Sequence, residues 1–276
     1  MGDADILIRI DQYSRIKPIL ESLQFEEGQE SDHELIWTTP ALYLELHKRL
    51  IPSNNKDFFE YFGDGWQLAK VSQGTCYRMS PEDEFVFLFT HFAKHYRDGG
   101  IGLRHVTDLW VYLRAFPSMD NSYIRQKLED LALLSFYDNI LELIGCWYED
   151  KPASEKTDFI TEFIFNSGSW GDMESRVLSE TVILNGENMI SKVDGRFLYI
   201  LQCIFPPRKR IQYEYPILNK LPIILPFGWI GRLVRKLVVE RGAIVRKKRQ
   251  LSALNPSNIQ NKQEALQYVG LEYIVE

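Results

Sequence analysis

The sequence MGDADILIRI, residues 1–10, alternates polar and apolar residues in the pattern of a β-strand that is buried on one face. Alternate side chains of a strand point to opposite faces, so one face would carry Asp3, Asp5 and Leu7, and the other Ala4, Ile6, Ile8 and Ile10. The Cα atoms of Asp3 and Asp5 would lie about 6.6 Å apart, close enough for both carboxylates to bind one magnesium ion. This strand therefore predicts a candidate metal site.

The composition is that of a folded, globular protein. Of the 276 residues, 45% are hydrophobic and 13% are aromatic, which is enough for one large core or two smaller ones. The three cysteines, Cys76, Cys146 and Cys203, are widely spaced and favour neither a disulfide framework nor a zinc knuckle. Residues 2–5 are Gly-Asp-Ala-Asp, which does not fit the basic start of a signal peptide. We therefore expect the protein in the reducing cytoplasm.

The charge is distributed unevenly along the chain. Residues 207–249 contain twelve Lys or Arg and two Glu, a net charge of about +10. The whole chain carries −6, so the remainder carries about −16. This asymmetry indicates either an anionic partner for residues 207–249 or docking of this segment on the acidic body of the same chain.

Short elements follow the first strand. Residues 12–24 place apolar side chains at helical spacing, with Pro18 near the first turn of the predicted helix. Two apolar runs, residues 33–40 and 41–50, are separated by a turn at Thr39-Pro40 and predict a pair of strands. Glu45 lies on the non-core face of the second strand, so a neighbouring strand could bring it beside the two aspartates.

The hydrophobic period becomes helical after residue 78. Ser80-Pro81-Glu82-Asp83 is a typical helix start, and the helix should run over about 81–97. Further amphipathic helices with short connections are predicted as far as residue 165, and a polar helix around 174–183. The sequence thus predicts an α+β fold, with an α/β core over 1–78, a helical region over 79–195 and a basic C-terminal segment over 196–276.

The C-terminal segment contains a basic amphipathic helix. Its predicted apolar face consists of Trp229, Ile230, Leu233, Val234, Leu237 and Val238. This face would either pack on the rest of the chain or lie on an anionic membrane surface, and the segment could also bind nucleic acid. The preceding apolar run LPIILPFGWIG has eleven residues and two prolines, too short for a bilayer span of about twenty. The sequence therefore predicts no transmembrane segment.

Two carboxylates at D-x-D spacing with a later Glu suit one particular chemistry. Nucleotidyl transfer needs divalent cations that neutralise a triphosphate and lower the pKa of the attacking hydroxyl, and magnesium prefers carboxylate ligands. Alternating acids also occur on any solvated strand face, which is the structural alternative. Dinucleotide-binding, P-loop and serine-hydrolase motifs are absent from the sequence.

Several stretches of the chain resemble a known family, the uncharacterised nucleotidyltransferases of the polymerase-beta-type superfamily. The stretches that carry the resemblance are MGDADILI, LYLELH, SPEDEFVFLFTHFAKHYRDGGIGLRHVTDLWVYL, FNSGSWGD and FPPRKRIQYEYPILNKLPIILPFGWIGRLVRK. The resemblance implies a small mixed β-sheet core followed by a mainly helical region. It also implies transfer of a nucleoside monophosphate from an NTP to an acceptor hydroxyl, with magnesium or, in its place, manganese.

The resemblance assigns roles to individual residues. Asp3 and Asp5 match the paired metal-binding carboxylates, and Glu45 matches the third, which binds metal and assists the acceptor hydroxyl. In the superfamily a Gly-Ser or Gly-Gly turn stands about ten residues before the aspartate pair and holds the triphosphate. Only Met1 and Gly2 precede the pair here, so we expect either a chain that starts at an internal methionine or a site that binds weakly.

A second group of candidates lies in the predicted helices. His91 and His95 are four residues apart on one helical face, and we expect them to bond to a neighbouring helix rather than to hold zinc, because no third ligand is evident. The resemblance implies that Lys94, His95 or Arg104 reaches the nucleotide phosphates. The alternative function is a non-catalytic module of the same fold that recognises an anionic partner through residues 207–249.

Overall fold

The structure, a computed structural model, confirms the predicted mixed α+β fold, with a small sheet followed by a mostly helical region. It describes residues 3–53, 55–167, 195–208, 211, 215, 217–220, 222–238 and 256–271. The chain divides into two units, Met1–Ser80 and Pro81–Glu276. The finer division of the sequence into three regions stays a prediction.

The first unit contains a four-stranded sheet, a hairpin and two helices. Its elements are β1 (Asp3–Leu7), α1 (Tyr13–Ser22), β2 (Glu26–Glu30), β3 (Glu34–Thr38), β4 (Tyr43–His47), α2 (Lys56–Phe62), β5 (Lys70–Gln73) and β6 (Cys76–Arg78). The strand order in the sheet is β1-β4-β3-β2. β1 runs parallel to β4, and the other neighbours are antiparallel. β5 and β6 form a separate two-stranded sheet.

Alternation in the strands builds the core of this unit on one face of the sheet. The buried cluster consists of Ile8, Leu20, Leu35, Trp37, Leu44 and Leu46. The predicted core face of the first strand is only partly correct, because Ile6 and Ile10 are exposed. β1 is an edge strand, and the chain turns into a 3-10 helix at Ile10–Gln12, so neither side chain is enclosed.

β2 lacks the hydrophobic pattern from which a strand can be predicted. β2 reads EEGQE and is exposed throughout, so no apolar alternation marks it. It is held instead by backbone pairing with β3 and by the bonds that Tyr13 and Lys17 of α1 donate to Glu27. Pro18 lies inside α1 rather than near its first turn, because the helical segment begins at Tyr13.

The second unit is helical in the part of the chain that the structure describes. Its helices are α3 (Pro81–Asp98), α4 (Leu103–Ala115), α5 (Asn121–Asp130), α6 (Leu134–Tyr148), α7 (Glu155–Ser167), α8 (Gly195–Ile204), α9 (Ile217–Lys220), α10 (Leu225–Val238) and α11 (Pro256–Tyr268). The predicted helix over 81–97 is confirmed by α3. The predicted polar helix around 174–183 lies outside the described residues. None of the described helices is long and apolar enough to span a membrane.

The predicted apolar face of the basic helix is divided in α10. The Trp229 indole donates to the carbonyl of Pro206 at 2.9 Å and packs edge-on against Phe205. By contrast, Ile230 and Val234 are exposed. The face predicted over 229–238 therefore does not pack as one stripe, and the side chains of residues 236–238 lie outside the described set.

Candidate metal-binding site

The sheet face opposite the core brings together two of the three predicted carboxylates. Asp5 of β1 and Glu45 of β4 are register partners on neighbouring parallel strands. Their side chains project to the same face because Ala4 and Leu44, the residues before them, face the core. Asp3, two residues before Asp5 on β1, is the register partner of Tyr43. The side chain of Asp3 lies outside the described set.

A histidine completes this group. The Nε2 atom of His47 lies 3.7 Å from Oδ1 of Asp5 and 3.5 Å from Oε2 of Glu45. One potential ligand atom from each of the three residues lies within 4.8 Å of the other two. We call Asp5, Glu45 and His47 the carboxylate site.

The carboxylate site is open on one side. The side chain of Asp5 is 63% exposed, whereas those of Glu45 and His47 are 20% and 18% exposed. A ligand from solvent would therefore meet Asp5 first, with Glu45 and His47 behind it. This difference follows from the strand order, because β1 lies at the edge of the sheet and β4 lies between two strands.

The carboxylates act on the proton affinity of His47. Burial alone would lower the pKa of this imidazole, because a buried site disfavours the charged form. The contact with Asp5 and the negative charges of Glu34 and Glu45 outweigh burial, and the pKa of His47 is raised. A protonated His47 would then offset the charge of the two carboxylates when no cation is bound.

The donor set suits a divalent cation. Two carboxylates that approach each other on one sheet face repel, and a divalent cation relieves that repulsion while taking hard oxygen ligands. An imidazole beside them is a ligand that manganese accepts more readily than magnesium does. Asp5 and Glu45 would hold the ion, and His47 is placed to contribute as a third ligand.

His47 was not among the predicted site residues, although the sequence held a signal for it. In β4 the residues Leu44 and Leu46 are buried, so Glu45 and His47 share the other face at the strand period of two. The same reasoning applies to Glu34 of β3, which is the register partner of His47. Extending the face of β4 by two residues beyond Glu45 would have found His47, whereas Glu34 comes beside it only through the antiparallel register of β3 and β4.

The predicted nucleotide-binding residues lie in the second unit. Lys94 and His95 are on α3, and Arg104 is on α4. The Nε2 atoms of His95 and His91 lie 3.0 Å apart, so this pair meets within one helix. Arg104 is 85% exposed and forms an ion pair with Asp108, one turn later, at 3.4 Å. Their role in nucleotide binding stays a prediction.

Comparison with known proteins finds one family. The family described as uncharacterised nucleotidyltransferase matches residues 1–149, which is more than half of the chain. No curated protein and no solved structure matches the chain. The matched residues include all four strands of the larger sheet, the carboxylate site and helices α3 and α4. The chain therefore belongs to the family of uncharacterised nucleotidyltransferases.

Proposed function

We propose that this protein transfers a nucleoside monophosphate from an NTP to the hydroxyl group of an acceptor. The observation that carries the proposal is the register pairing of Asp5 with Glu45 on parallel strands of the sheet. This pairing brings two acids that are forty residues apart in the sequence to one place, where together they could bind a divalent cation. The match to this family over residues 1–149 supports the reaction class.

The chain's own residues would act mainly by positioning and by charge. A divalent ion, magnesium or manganese, supplies neutralisation of the triphosphate and a lower pKa for the attacking hydroxyl. Asp5 and Asp3, two residues apart on the exposed edge strand, would face the triphosphate. Glu45, the more buried carboxylate, would orient the acceptor hydroxyl. This arrangement assigns no covalent intermediate to the protein.

Phosphate recognition completes the proposal. Lys94, His95 and Arg104 carry the cationic or hydrogen-bonding groups that a triphosphate requires. The side chain of Arg104, although paired with Asp108, is 85% exposed, so an anion from solvent can reach it. In the polymerase-beta-type superfamily, which the chain resembles, a Gly-Ser or Gly-Gly turn precedes the aspartate pair. We propose that such a turn, where it is present, strengthens nucleotide binding through its backbone amides.

Calorimetric titration tests the proposal. Mg-ATP and Mg-CTP are titrated into this chain and into a version extended upstream to the next in-frame start, with a metal-free titration as the control. We expect magnesium-dependent binding in the range of about 1 μM to 1 mM that is typical of enzyme substrates. Stronger binding by the extended chain would support the phosphate-holding turn. If neither chain binds Mg-ATP or Mg-CTP, the proposed function is contradicted.

A second function, binding to an anionic membrane surface, is favoured by the exposed face of α10 and the turn before it. Ile223, Phe227, Ile230 and Val234 follow one another at spacings of four, three and four residues, and all are exposed. The side chain of Phe227 is 72% exposed. The surrounding segment, 207–249, carries a net charge of about +10. An apolar stripe within a basic segment suits the headgroup boundary of an anionic bilayer better than it suits nucleic acid.

Vesicle sedimentation tests this second function. The full chain should bind vesicles that contain phosphatidylserine and should not bind vesicles of phosphatidylcholine alone, which are the control. Neutralising Arg235, Lys236, Arg246 and Lys247 should reduce binding, since each basic residue near an anionic surface contributes about 1 kcal/mol. Phe227→Ser should weaken it as well, because the stripe loses its largest side chain. Equal binding by the wild type and both variants would exclude this surface.

A further inference from the structure

A second cluster of potential ligands lies next to the carboxylate site. His33, Glu34 and His47 each offer one atom that lies within 4.8 Å of the other two. Glu34 is the first residue of β3 and the register partner of His47 on β4, and His33 precedes it directly. All three side chains are partly buried. We call these residues the histidine site.

The surrounding backbone and side chains hold the histidine site in place. The Nε2 atom of His33 lies 3.0 Å from Oε2 of Glu34, so two of the ligand atoms already meet. The other ring nitrogen of His33, Nδ1, lies 3.3 Å from the hydroxyl of Ser31. The backbone amide of Lys48 donates to the carbonyl of His33 at 2.7 Å and ties this residue to the end of β4. A polar partner on the far nitrogen is the usual way to orient a metal-binding imidazole.

The spacing of the two rings agrees with a shared ion. The ring centroids of His33 and His47 lie 5.6 Å apart, and the rings are tilted by 58°. They are therefore not stacked, and both can direct a nitrogen toward a common point near Glu34. Ligand atoms around a tetrahedral zinc ion lie about 3.3 Å apart, given bonds of about 2.0–2.1 Å. The ligand atoms of His33, Glu34 and His47, which lie up to 4.8 Å apart, would have to approach one another by up to about 1.5 Å to reach this value.

The chemistry of the two sites differs. The carboxylate site offers two carboxylates and one imidazole, whereas the histidine site offers two imidazoles and one carboxylate. Imidazole nitrogens favour zinc and similar transition metals, and magnesium prefers oxygen ligands. We propose that His33, Glu34 and His47 bind a transition-metal ion of the zinc class, at a site that adjoins the carboxylate site and shares His47 with it. This proposal does not rest on nucleotidyl transfer.

The sharing of His47 has a consequence for the neighbouring site. A zinc ion that takes His47 as a ligand would compete for it with Asp5 and Glu45, which lie within 3.7 Å of its Nε2 atom. Three protein ligands would leave one tetrahedral position for water or for an oxygen of another molecule. The histidine site would therefore place a second cation beside the candidate magnesium ligands.

Zinc titration of the full chain without a polyhistidine tag tests this proposal. Zinc is titrated by calorimetry, and cobalt is titrated in parallel, because its visible absorption reports the ligand geometry. We expect one zinc ion per chain in the wild type. His33→Gln should weaken zinc binding at least about tenfold, because it removes one of three protein ligands. Glu34→Gln provides a second variant that keeps both histidines.

The remaining histidines supply the matched control. The chain has five histidines, and the three outside the histidine site are His91, His95 and His105. His95→Gln removes the centre of that group, since its ring contacts His91 and lies 6.3 Å from the ring of His105. Zinc binding should survive this change. Loss of binding in His95→Gln with retention in His33→Gln, or no binding by the wild type, would overturn the proposal.

The same variants separate this proposal from the proposed function. His33→Gln leaves Asp5 and Glu45 in place, so it should retain magnesium-dependent binding of ATP while it loses zinc. If ATP fails to bind to the wild type but zinc binds in a manner that depends on His33, the histidine site stands without the enzymatic function. Melting temperatures of each variant without metal show that the variants are folded before their affinities are compared.

Discussion

Replacing Asp5 with Asn should abolish the stabilisation of this protein by Mg-ATP while leaving its fold intact. Asn keeps the shape of Asp but removes the negative charge that a divalent cation requires. Asp5 is 63% exposed at the edge strand, so the change disturbs no buried apolar contact. We expect binding of the magnesium–nucleotide complex to weaken at least about a hundredfold, which corresponds to roughly 3 kcal/mol.

Thermal melting measures this effect without knowledge of the acceptor. The wild type should melt at a higher temperature in the presence of Mg-ATP than in its absence, because a ligand that binds the folded state stabilises it. Asp5→Asn should show the same melting temperature in both conditions. Asp11→Asn, an exposed acid in the 3-10 turn after β1, is the matched control and should keep the shift.

One result would refute the role of Asp5. If Mg-ATP raises the melting temperature of Asp5→Asn as much as that of the wild type, this carboxylate does not bind the metal. A lower melting temperature of Asp5→Asn without any ligand would indicate a structural role instead. His47 would then be the residue affected, because its Nε2 atom lies 3.7 Å from Oδ1 of Asp5. Burial alone would lower the pKa of His47, and the contact with Asp5 helps to raise it.

Residues with a strong hydrophobic period could be predicted well from the sequence. The first strand, the strand pair around Thr39-Pro40 and the long helix α3 all coincide with elements of the structure. Alternation also placed Asp5 and Glu45 on the face away from the core, where the structure has them as register partners. A period of two decides the face of a residue, and neighbouring strands then bring the faces together.

A strand without alternating buried residues could not be predicted in this way. β2 consists of exposed polar residues around Gly28, so no pattern of burial distinguishes it from a loop. Its place depends on β3, whose side chain Ile36 would lie 3.2 Å from a Cβ atom on Gly28. The histidine site could not be predicted from the sequence for a similar reason, because His33 and His47 come together only through the antiparallel register of β3 and β4.

The largest effect on stability is expected for Phe89→Ala in the second unit. Phe89 of α3 is fully buried and touches Phe85 and Phe92 on its own helix and Phe136 and Tyr137 on α6. Removal of the ring loses the hydrophobic transfer energy and leaves a cavity among side chains that cannot all collapse into it. We expect a loss of about 3–5 kcal/mol in the free energy of unfolding.

Urea denaturation followed by far-ultraviolet circular dichroism measures this loss, because the described helices of the second unit supply most of the helical signal. Phe165→Ala on α7 is the matched control, because it also removes a phenyl ring but from a side chain that is 64% exposed. The loss in the free energy of unfolding should stay below about 1 kcal/mol for this variant. Equal shifts in the two variants would contradict the packing described for α3 and α6. A large shift in Phe89→Ala alone would establish that the aromatic cluster between these helices stabilises the second unit.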